Sequence, residues 1–228
     1  CKCSVEAINE RQLKAMGKNG PDDEPSFDGD RTDFDSAPGA SWFPDLNKYP
    51  EPIAKAFVAE NMRDGVFERW LQRIGGQVAE LVATVAYRKA SEGDKVKIRR
   101  RIAQGEKYPV AVLSSDQQAM LGVKTQVVLF SEDDAIKQTV SRQGNTGFDI
   151  KSYLHVQTLL EQAILIVRQN IQQQHTLWIE GFDPDGQRYI AVLHQTKDNK
   201  ELFLKSYRLD SKTDLSKEKE KGEVLYER

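Results

Sequence analysis

The stretch Thr176-Leu177-Trp178-Ile179-Glu180-Gly181-Phe182 runs into a turn, Asp183-Pro184-Asp185-Gly186, and then into Gln187-Arg188-Tyr189-Ile190-Ala191-Val192-Leu193-His194-Gln195. A second polar turn, Lys197-Asp198-Asn199-Lys200, leads to Glu201-Leu202-Phe203-Leu204-Lys205-Ser206-Tyr207-Arg208. Three short runs rich in β-branched and aromatic residues, separated by Asp, Pro, Gly and Asn, predict an antiparallel meander. If Asp183 to Gly186 close a tight turn, Ile179 lies opposite Ile190 and Glu180 opposite Tyr189. If the second turn is symmetric, Val192 lies opposite Leu204 and Ala191 opposite Lys205. Because side chains alternate along a strand, Leu177, Ile179, Ile190, Val192, Leu202 and Leu204 then form a core face. Trp178, Glu180, Tyr189, Ala191, Lys205 and Tyr207 form the other, a mixture of aromatic, acidic and cationic groups. A slip of one residue exchanges the two faces.

Working outward, Tyr108-Pro109-Val110-Ala111-Val112-Leu113 and Thr125-Gln126-Val127-Val128-Leu129-Phe130 read as two earlier strands. Between them Ser114 or Ser115 caps a short helix that ends near Gly122. Ser131-Glu132-Asp133-Asp134 caps another that runs to about Arg142. Gly144 to Gly147 form a turn. Asp149 caps a helix with Tyr153, Val156, Leu160 and Ile164 on one face. A strand from Ile164 and a Gln-rich loop, Gln169 to His175, precede the meander. Upstream, Pro50 and Pro52 mark a helix start. Ile53, Ala56, Phe57 and Glu60, then Phe67, Trp70, Leu71 and Ile74, then Val78, Leu81, Val82 and Val85 recur at helical spacing. They predict a helical arm or antiparallel pair from residue 51 to about 90, weakened or bent at Gly75-Gly76. Ser91-Glu92-Gly93-Asp94 opens a further helix carrying Lys95, Lys97, Arg99, Arg100 and Arg101. That helix reads either as a phosphate-binding patch or as a solvated helix whose cations favour its C-terminal end.

The first fifty residues hold six Lys/Arg against ten Asp/Glu, and residues 51–104 hold eleven against seven. Cys3 to Met16 has room for one short helix resting on Leu13 and Met16, Gly17 to Gly39 has little to bury, and Trp42, Phe43, Leu46 and Tyr49 suit an arm docked on a domain. The tail from Ser211 to Arg228 is rich in Lys and Glu and reads as a frayed helix or a disordered segment. The expected organisation is a linker over 1–50, a helical arm over 51–104, an α+β domain of helices packed on a small antiparallel sheet over 105–209, and a charged tail over 210–228.

The formal net charge of −2 gives no support to non-specific nucleic-acid or membrane binding. No apolar run approaches the ~20 residues of a membrane span, and no secretory signal pattern is present. Cys1 and Cys3, with no His nearby, cannot complete a zinc site alone. A first residue other than Met suits a fragment of a longer chain. No P-loop, dinucleotide fingerprint or His-Glu-x-x-His is present, and no cofactor-binding signature supports a nucleotide-modifying transferase. His155, His175 and His194 are scattered, and His194 reads as an edge histidine or a base.

The mixed face remains. Lys205 beside Ala191, with Glu180 on the neighbouring strand and Tyr189 and Tyr207 around them, has the groups to hold a phosphodiester. An ammonium stabilises charge developing on phosphate oxygens, a nearby carboxylate acts as general base, and exposed aromatics stack unpaired bases. Cross-strand Glu–Lys and Tyr–Tyr neighbours also simply stabilise an exposed sheet. Arg168 is placed to reach the edge of that sheet. Lys137 follows Asp133 and Asp134 at ion-pair spacing.

Two stretches carry a resemblance. Cys1-Lys2-Cys3-Ser4-Val5-Glu6-Ala7 followed by Glu10-Arg11-Gln12-Leu13 resembles the end of the head-morphogenesis domain of MuF-type phage minor head proteins. Phe34 to Ala40 and Pro44 to Pro50 look like the connecting segment that follows it. From Tyr108 to Arg208, Leu113-Ser114, Val127 to Ser131, Lys137, Tyr153, Val167-Arg168-Gln169, Arg188-Tyr189, Thr196 and Leu202 to Tyr207 resemble PBECR, a phage branch of the Barnase–EndoU–colicin–RelE class. The resemblance implies a BECR/RelE-like fold with its active face on the sheet. It also implies a metal-independent ribonuclease that needs no cofactor and acts as a toxin or virion-delivered effector. On it, Lys205 and Arg168 stabilise the charge on phosphorus, Lys137 orients or protonates, and Glu180 serves as acid or base. Tyr153, Tyr189 and Tyr207 position bases; the phosphate-binding reading of the basic helix adds Arg99, Arg100 and Arg101 as nucleic-acid contacts. The implied partners are an RNA substrate, an immunity protein and phage portal or head proteins, with no membrane; the implied places of action are the virion and the host cytoplasm. Relatives often carry His-Pro shortly after the helix Lys, where this chain has Ser141-Arg142-Gln143, which leaves open a weak enzyme, a role for Arg142, or no activity. The alternative function is a structural or docking module of the virion that binds portal or DNA through Lys95 to Arg101.

Overall fold

The computed structural model describes residues 10–15, 17–18, 43–142, 150–171, 174–209 and 214–228. The expectations placed on Cys1 to Ala7, Phe34 to Trp42, Gly144 to Gly147 and Asp149 lie outside them. The chain forms two compact units, Cys1–Ala40 and Ser41–Arg228. In the first, α1 (Glu10–Ala15) is the short helix expected before Met16; it buries nothing, and Leu13 is only half-buried.

The second unit is α+β. Its helices are α2 (Glu51–Arg63), α3 (Val66–Ala83), α4 (Val85–Lys89), α5 (Glu92–Ile102), α6 (Ser115–Leu121), α7 (Glu132–Ser141), α8 (Val156–Glu161) and α9 (Asp214–Lys221). Its strands are β1 (Lys107–Val112), β2 (Val127–Ser131), β3 (Leu165–Ile171), β4 (Gln174–Phe182), β5 (Arg188–Gln195), β6 (Leu202–Leu209) and β7 (Glu223–Glu227). They form one sheet in the order β1-β2-β6-β5-β4-β3-β7. Every neighbouring pair is antiparallel except β2 and β6, which run parallel.

The helical pair at residues 51–83 follows from its periodicity. Pro52 sits in the first turn of α2, and Ala54, Val58 and Met62 are buried at i, i+4 and i+8. Asp64 and the left-handed Gly65, φ 74°, turn the chain into α3. There Phe67, Trp70, Leu71, Ile74 and Val78 form one buried stripe. The helix runs unbroken through Gly75 and Gly76. Both helices pack on the rest of the unit, α2 against β1 and α3 against α7, so residues 51–104 are not a separate arm. Arg73 joins α3 to the β1–α7 region by pairing with Glu106 and with the fully buried Glu132. Glu132 also accepts the Gln104 amide at 2.5 Å. A buried carboxylate needs such partners, because removing one strands its charge at a cost of about 3–5 kcal/mol.

The segment 43–49 docks as its aromatic content suggests. The Phe43 ring meets Tyr108 at 4.7 Å and Leu46 is buried. Asn47 Oδ1 accepts from Thr125 Oγ1 and the Gln126 amide, at 2.9 and 3.0 Å. Tyr49 stays exposed.

The sheet departs from the expected meander in four ways. First, the β4–β5 loop is one residue longer than a tight turn. Asp183 Oδ1 accepts the amides of Asp185 and Gln187, at 3.0 and 2.7 Å, so Gln187 belongs to the loop and Phe182 pairs Arg188. Ile179 therefore faces Ala191, and β5 turns over relative to expectation. Secondly, β6 carries a bulge. Val192 pairs Ser206 while Leu193 pairs Leu204, which leaves Lys205 as the extra residue. Thirdly, the Gln-rich loop is a hairpin paired as far as Ile171 and Gln174. Fourthly, the charged tail is structured: α9 packs on β3 and β4, and β7 pairs β3 to form an edge of the sheet.

The two faces follow from this register. Leu177, Ile179, Tyr189, Ala191, Leu193, Leu202, Leu204 and Tyr207 join the main core with α2, α3, α6, α7 and α8. Leu165, Val167, Ile190, Val192 and Leu215 form a smaller cluster on the opposite face, with Trp178 against it. Ile190 and Val192 thus exchange faces with Tyr189, Ala191 and Tyr207.

Candidate active site at the capped edge of the sheet

The site begins where β2 leaves β6. Only Val128–Leu129 pair with Leu202–Phe203. Ser131 then ends the strand and caps α7, its Oγ accepting the Asp134 amide at 3.2 Å. The chain turns away, and the remaining length of β6 would face outward with unpaired backbone groups. Such an edge is normally paired or covered. Here side chains of α7 cover it. Gln138 acts as a single rung of a strand: its Oε1 accepts the Tyr207 amide at 3.1 Å, and its Nε2 donates to the Lys205 carbonyl at 3.3 Å. Lys137 Nζ donates to the same carbonyl at 2.9 Å. Arg142 donates to the Tyr207 carbonyl and to Gln138 Oε1.

The bulge sets the direction of Lys205. Its ammonium meets Asp134 Oδ2 at 2.9 Å, while Lys137 Nζ lies 3.4 Å from Asp134 Oδ1. Asp134 is 3% exposed and also accepts from Ser131 Oγ at 2.5 Å. One buried carboxylate thus gathers two ammoniums, leaving the trio with one net positive charge. The Lys205 side chain keeps 37% of its exposure and the Lys137 side chain 47%, so both are open to a ligand.

His194 belongs to the same neighbourhood. It pairs Phe203 across β5–β6 and Thr176 across β4–β5, and Thr176 Oγ1 lies 3.3 Å from its Nδ1. Burial pushes its pKa below the usual histidine value, the Lys205 charge pushes it further down, and Asp134 pulls it partly back up. A half-buried imidazole held neutral at neutral pH is suited to accept a proton. Around it lie half-exposed aromatics. Phe203 carries Lys107 Nζ and Lys205 Nζ at 5.3 and 5.6 Å from its ring centre. Trp178 lies under the Arg208 guanidinium at 5.7 Å.

The structure brings together Lys137 and Lys205 of the candidate residues and places the others elsewhere. Glu180 shares a face with Trp178 as expected, but it is 1% exposed and ion-paired with Arg188. It faces Ile190 rather than Tyr189. Arg168 lies on β3, three strands from β6, and holds Glu223 of β7 at 2.6 Å. The three tyrosines are core residues rather than exposed stacking platforms. Tyr189 and Tyr207 stack at 4.9 Å with planes 6° apart, and Tyr207 is fully buried. Burial pushes the Tyr207 hydroxyl pKa up strongly, with Tyr189 adding to it. Tyr153 donates to Gln138 Oε1 at 2.8 Å, and burial lifts its pKa to about 12 against the opposing Arg142 charge. Arg99, Arg100 and Arg101 lie on α5, of which no residue is buried.

The sequence reading left His194 as an edge histidine or a base, because the assumed turn put it on the core face. The signal was Asp183 followed two and four residues later by amides that its carboxylate can bind. Among the described residues, no group of three or more His, Cys, Asp or Glu side chains is placed to hold a metal ion, and no helix is long and apolar enough to cross a membrane.

No protein-family model matches the chain, and no solved structure matches it.

Proposed function

We propose that the chain is a metal-independent endoribonuclease whose active site is the capped edge of β6. The observation that carries the reading is the meeting of Lys205 and Lys137 at buried Asp134 on a half-exposed part of the sheet, with His194 paired to Phe203, whose ring lies 5.6 Å from Lys205 Nζ. On this reading the fold is a variant of the BECR/RelE type, and the protein is an RNA-cleaving effector of the kind that phage minor head proteins carry. Its partners are RNA, an immunity protein and head or portal proteins; it works in the virion and the host cytoplasm. The residue matches from Tyr108 to Arg208 support that setting.

In the proposed reaction the ribose 2′-oxygen attacks the adjacent phosphorus and the bond to the 5′-oxygen breaks. His194 takes the 2′-hydroxyl proton. Lys205 stabilises the charge that builds on the non-bridging oxygens. Lys137 delivers a proton to the departing 5′-oxygen, and the products carry a 2′,3′-cyclic phosphate and a 5′-hydroxyl. His194 replaces Glu180 in the acid–base role, because Glu180 is occupied by Arg188 under the sheet surface. Incubation with total RNA in the presence of a chelator tests the reading. The chain is expected to release cyclic-phosphate ends, and His194→Ala and Lys205→Ala to lower the rate by about 10²-fold or more. Wild-type cleavage no faster than that of the two variants would overturn it.

A second reading, a virion docking module that binds portal or packaged DNA through Lys95 to Arg101, draws on two observations. Glu180 and Tyr207 are buried, and α5 exposes its cations.

A further inference from the structure

The basic helix and the β6 edge, 100 residues apart in sequence, are neighbours in the fold. Gln104, just past the end of α5, donates its amide to Glu132 at the start of α7. Arg100 Nε lies 4.0 Å from Asp133 Oδ2, and the next residue, Asp134, is the one that holds Lys205 and Lys137. The sequence makes this corner cationic: from Arg88 to Lys107 there are eight Lys/Arg against three Asp/Glu. Local partners neutralise part of it, since Lys95 pairs Glu92 and Lys97 pairs Asp94. Arg99, Arg100 and Arg101 are consecutive, so they fan out by about 100° each around the helix and cannot all meet Asp133. Among the described residues Arg99 and Arg101 make no ion pair. None of the helix's residues is buried, and Ile102 at its end is a partly buried contact with the main core.

We propose that α5 holds the sugar–phosphate backbone of a single-stranded RNA whose scissile phosphate sits at Lys205. This rests on the nuclease reading and adds to it a substrate class and a path. The 11 residues of α5 span about 16 Å, long enough to follow a strand over more than one phosphate. Arginines with free forks suit phosphate oxygens. The half-exposed ring of Phe203 supplies a face on which an unpaired base stacks, which a duplex does not offer. Single strands are therefore preferred to duplexes. Retention of a strand outside the reacting phosphate acts on KM and leaves the chemical step alone.

The test is anisotropy of a fluorescein-labelled oligouridylate bound to the full 228-residue chain over a salt series. His194→Ala is present in every protein so that the strand is not consumed. Arg100→Gln with Arg101→Gln is compared with Lys217→Gln plus Lys221→Gln, an equal charge change on exposed positions of α9 at the far side of the sheet. A single-strand contact contributes about 0.7 to the salt slope, so losing two flattens it by about 1.4, and a roughly fourfold rise in salt then separates the two proteins by about sevenfold. The α9 pair is expected to leave the slope unchanged. Equal effects from both pairs, or none from the α5 pair at an unchanged melting temperature, would overturn the proposal. Duplex DNA held as tightly as the single strand would also overturn it, and would favour the docking reading. Binding is measured without cleavage, so a chain that fails to cut RNA and a helix that fails to hold it give different results.

Discussion

The sheet finishes its β3 and β6 edges in opposite ways. Beyond β3 it is completed by a true strand, β7, whose backbone pairs from Glu223 to Glu227. Beyond β6 it is completed by the side chains of Lys137, Gln138 and Arg142. Strand pairing joins backbone to backbone along Leu165–Arg168 and turns side chains up and down, leaving the edge chemically quiet. Side-chain pairing satisfies fewer groups, but it brings an ammonium, an amide and a guanidinium to the rim, where a bulge has also turned Lys205 towards a buried carboxylate. The edge that is less well closed is the one with functional groups to spare.

The comparison can be broken first at Gln138. Gln138→Ala leaves the Tyr207 amide without its acceptor and takes partners from the Tyr153 hydroxyl and the Lys205 carbonyl. A loss of about 3 kcal/mol is expected from urea unfolding, since unsatisfied buried groups cost about 1–3 kcal/mol each. A loss below about 0.5 kcal/mol would mean that water replaces the side chain and that the edge is not capped as described. The other edge is tested at Gly222, which has no room for a side chain. An added Cβ would lie 2.6 Å from Val167 Cγ1 and 2.7 Å from the Arg168 carbonyl. Gly222→Ala is expected to displace β7 and to cost about 1–3 kcal/mol. Faster amide exchange confined to β3 and β7, with the candidate site unaffected, is the signature to look for.

A finer test uses pH. The folded-state pKa of His194 lies below its ordinary value. Its contribution to stability is therefore complete above about pH 6.5 and lost as the pH falls through the folded value. Urea midpoints measured on acidification should fall more in the wild type than in His194→Gln. Parallel curves would remove the depressed pKa from the account. The smallest effect belongs to the rim: breaking the exposed Lys107–Glu201 pair, 2.6 Å long, with Glu201→Gln should change stability by less than about 1 kcal/mol.

Much of the scaffold was legible in the chain. The buried stripe of α3, Pro52 at the head of α2, and the serine caps at Ser91, Ser114 and Ser131 all follow from local rules. Trp178 and Glu180 also share a face as read. The β5 register was not legible because one carboxylate, Asp183, enlarged its loop by one residue, and such a change inverts every side chain that follows. The Lys205 bulge lies in pairing between β5 and β6 that no single strand reveals. Gln138 carries no signal in the sequence, because its partners on β6 depend on where β2 ends. The tail hid β7 because Val224, Leu225 and Tyr226 are too few to form a pattern; the strand draws its pairing from β3. Lys137 and Lys205 were found by charge and resemblance, whereas His194, read as an edge histidine or a base, could be decided only once its face was known.

The position of β7 has a consequence for biosynthesis. Its partner, β3, is made more than fifty residues earlier. While the chain emerges from the ribosome, β3 and β4 can form their hairpin, but the outer row of β3 amides and carbonyls stays open until residue 227 is clear of the exit tunnel. At synthesis rates of about 5–20 residues per second, that window lasts several seconds. During it the nascent chain displays a strand edge of the kind that captures other strands, and any partner that shields β3 in that interval would act as a folding aid rather than a ligand of the finished protein.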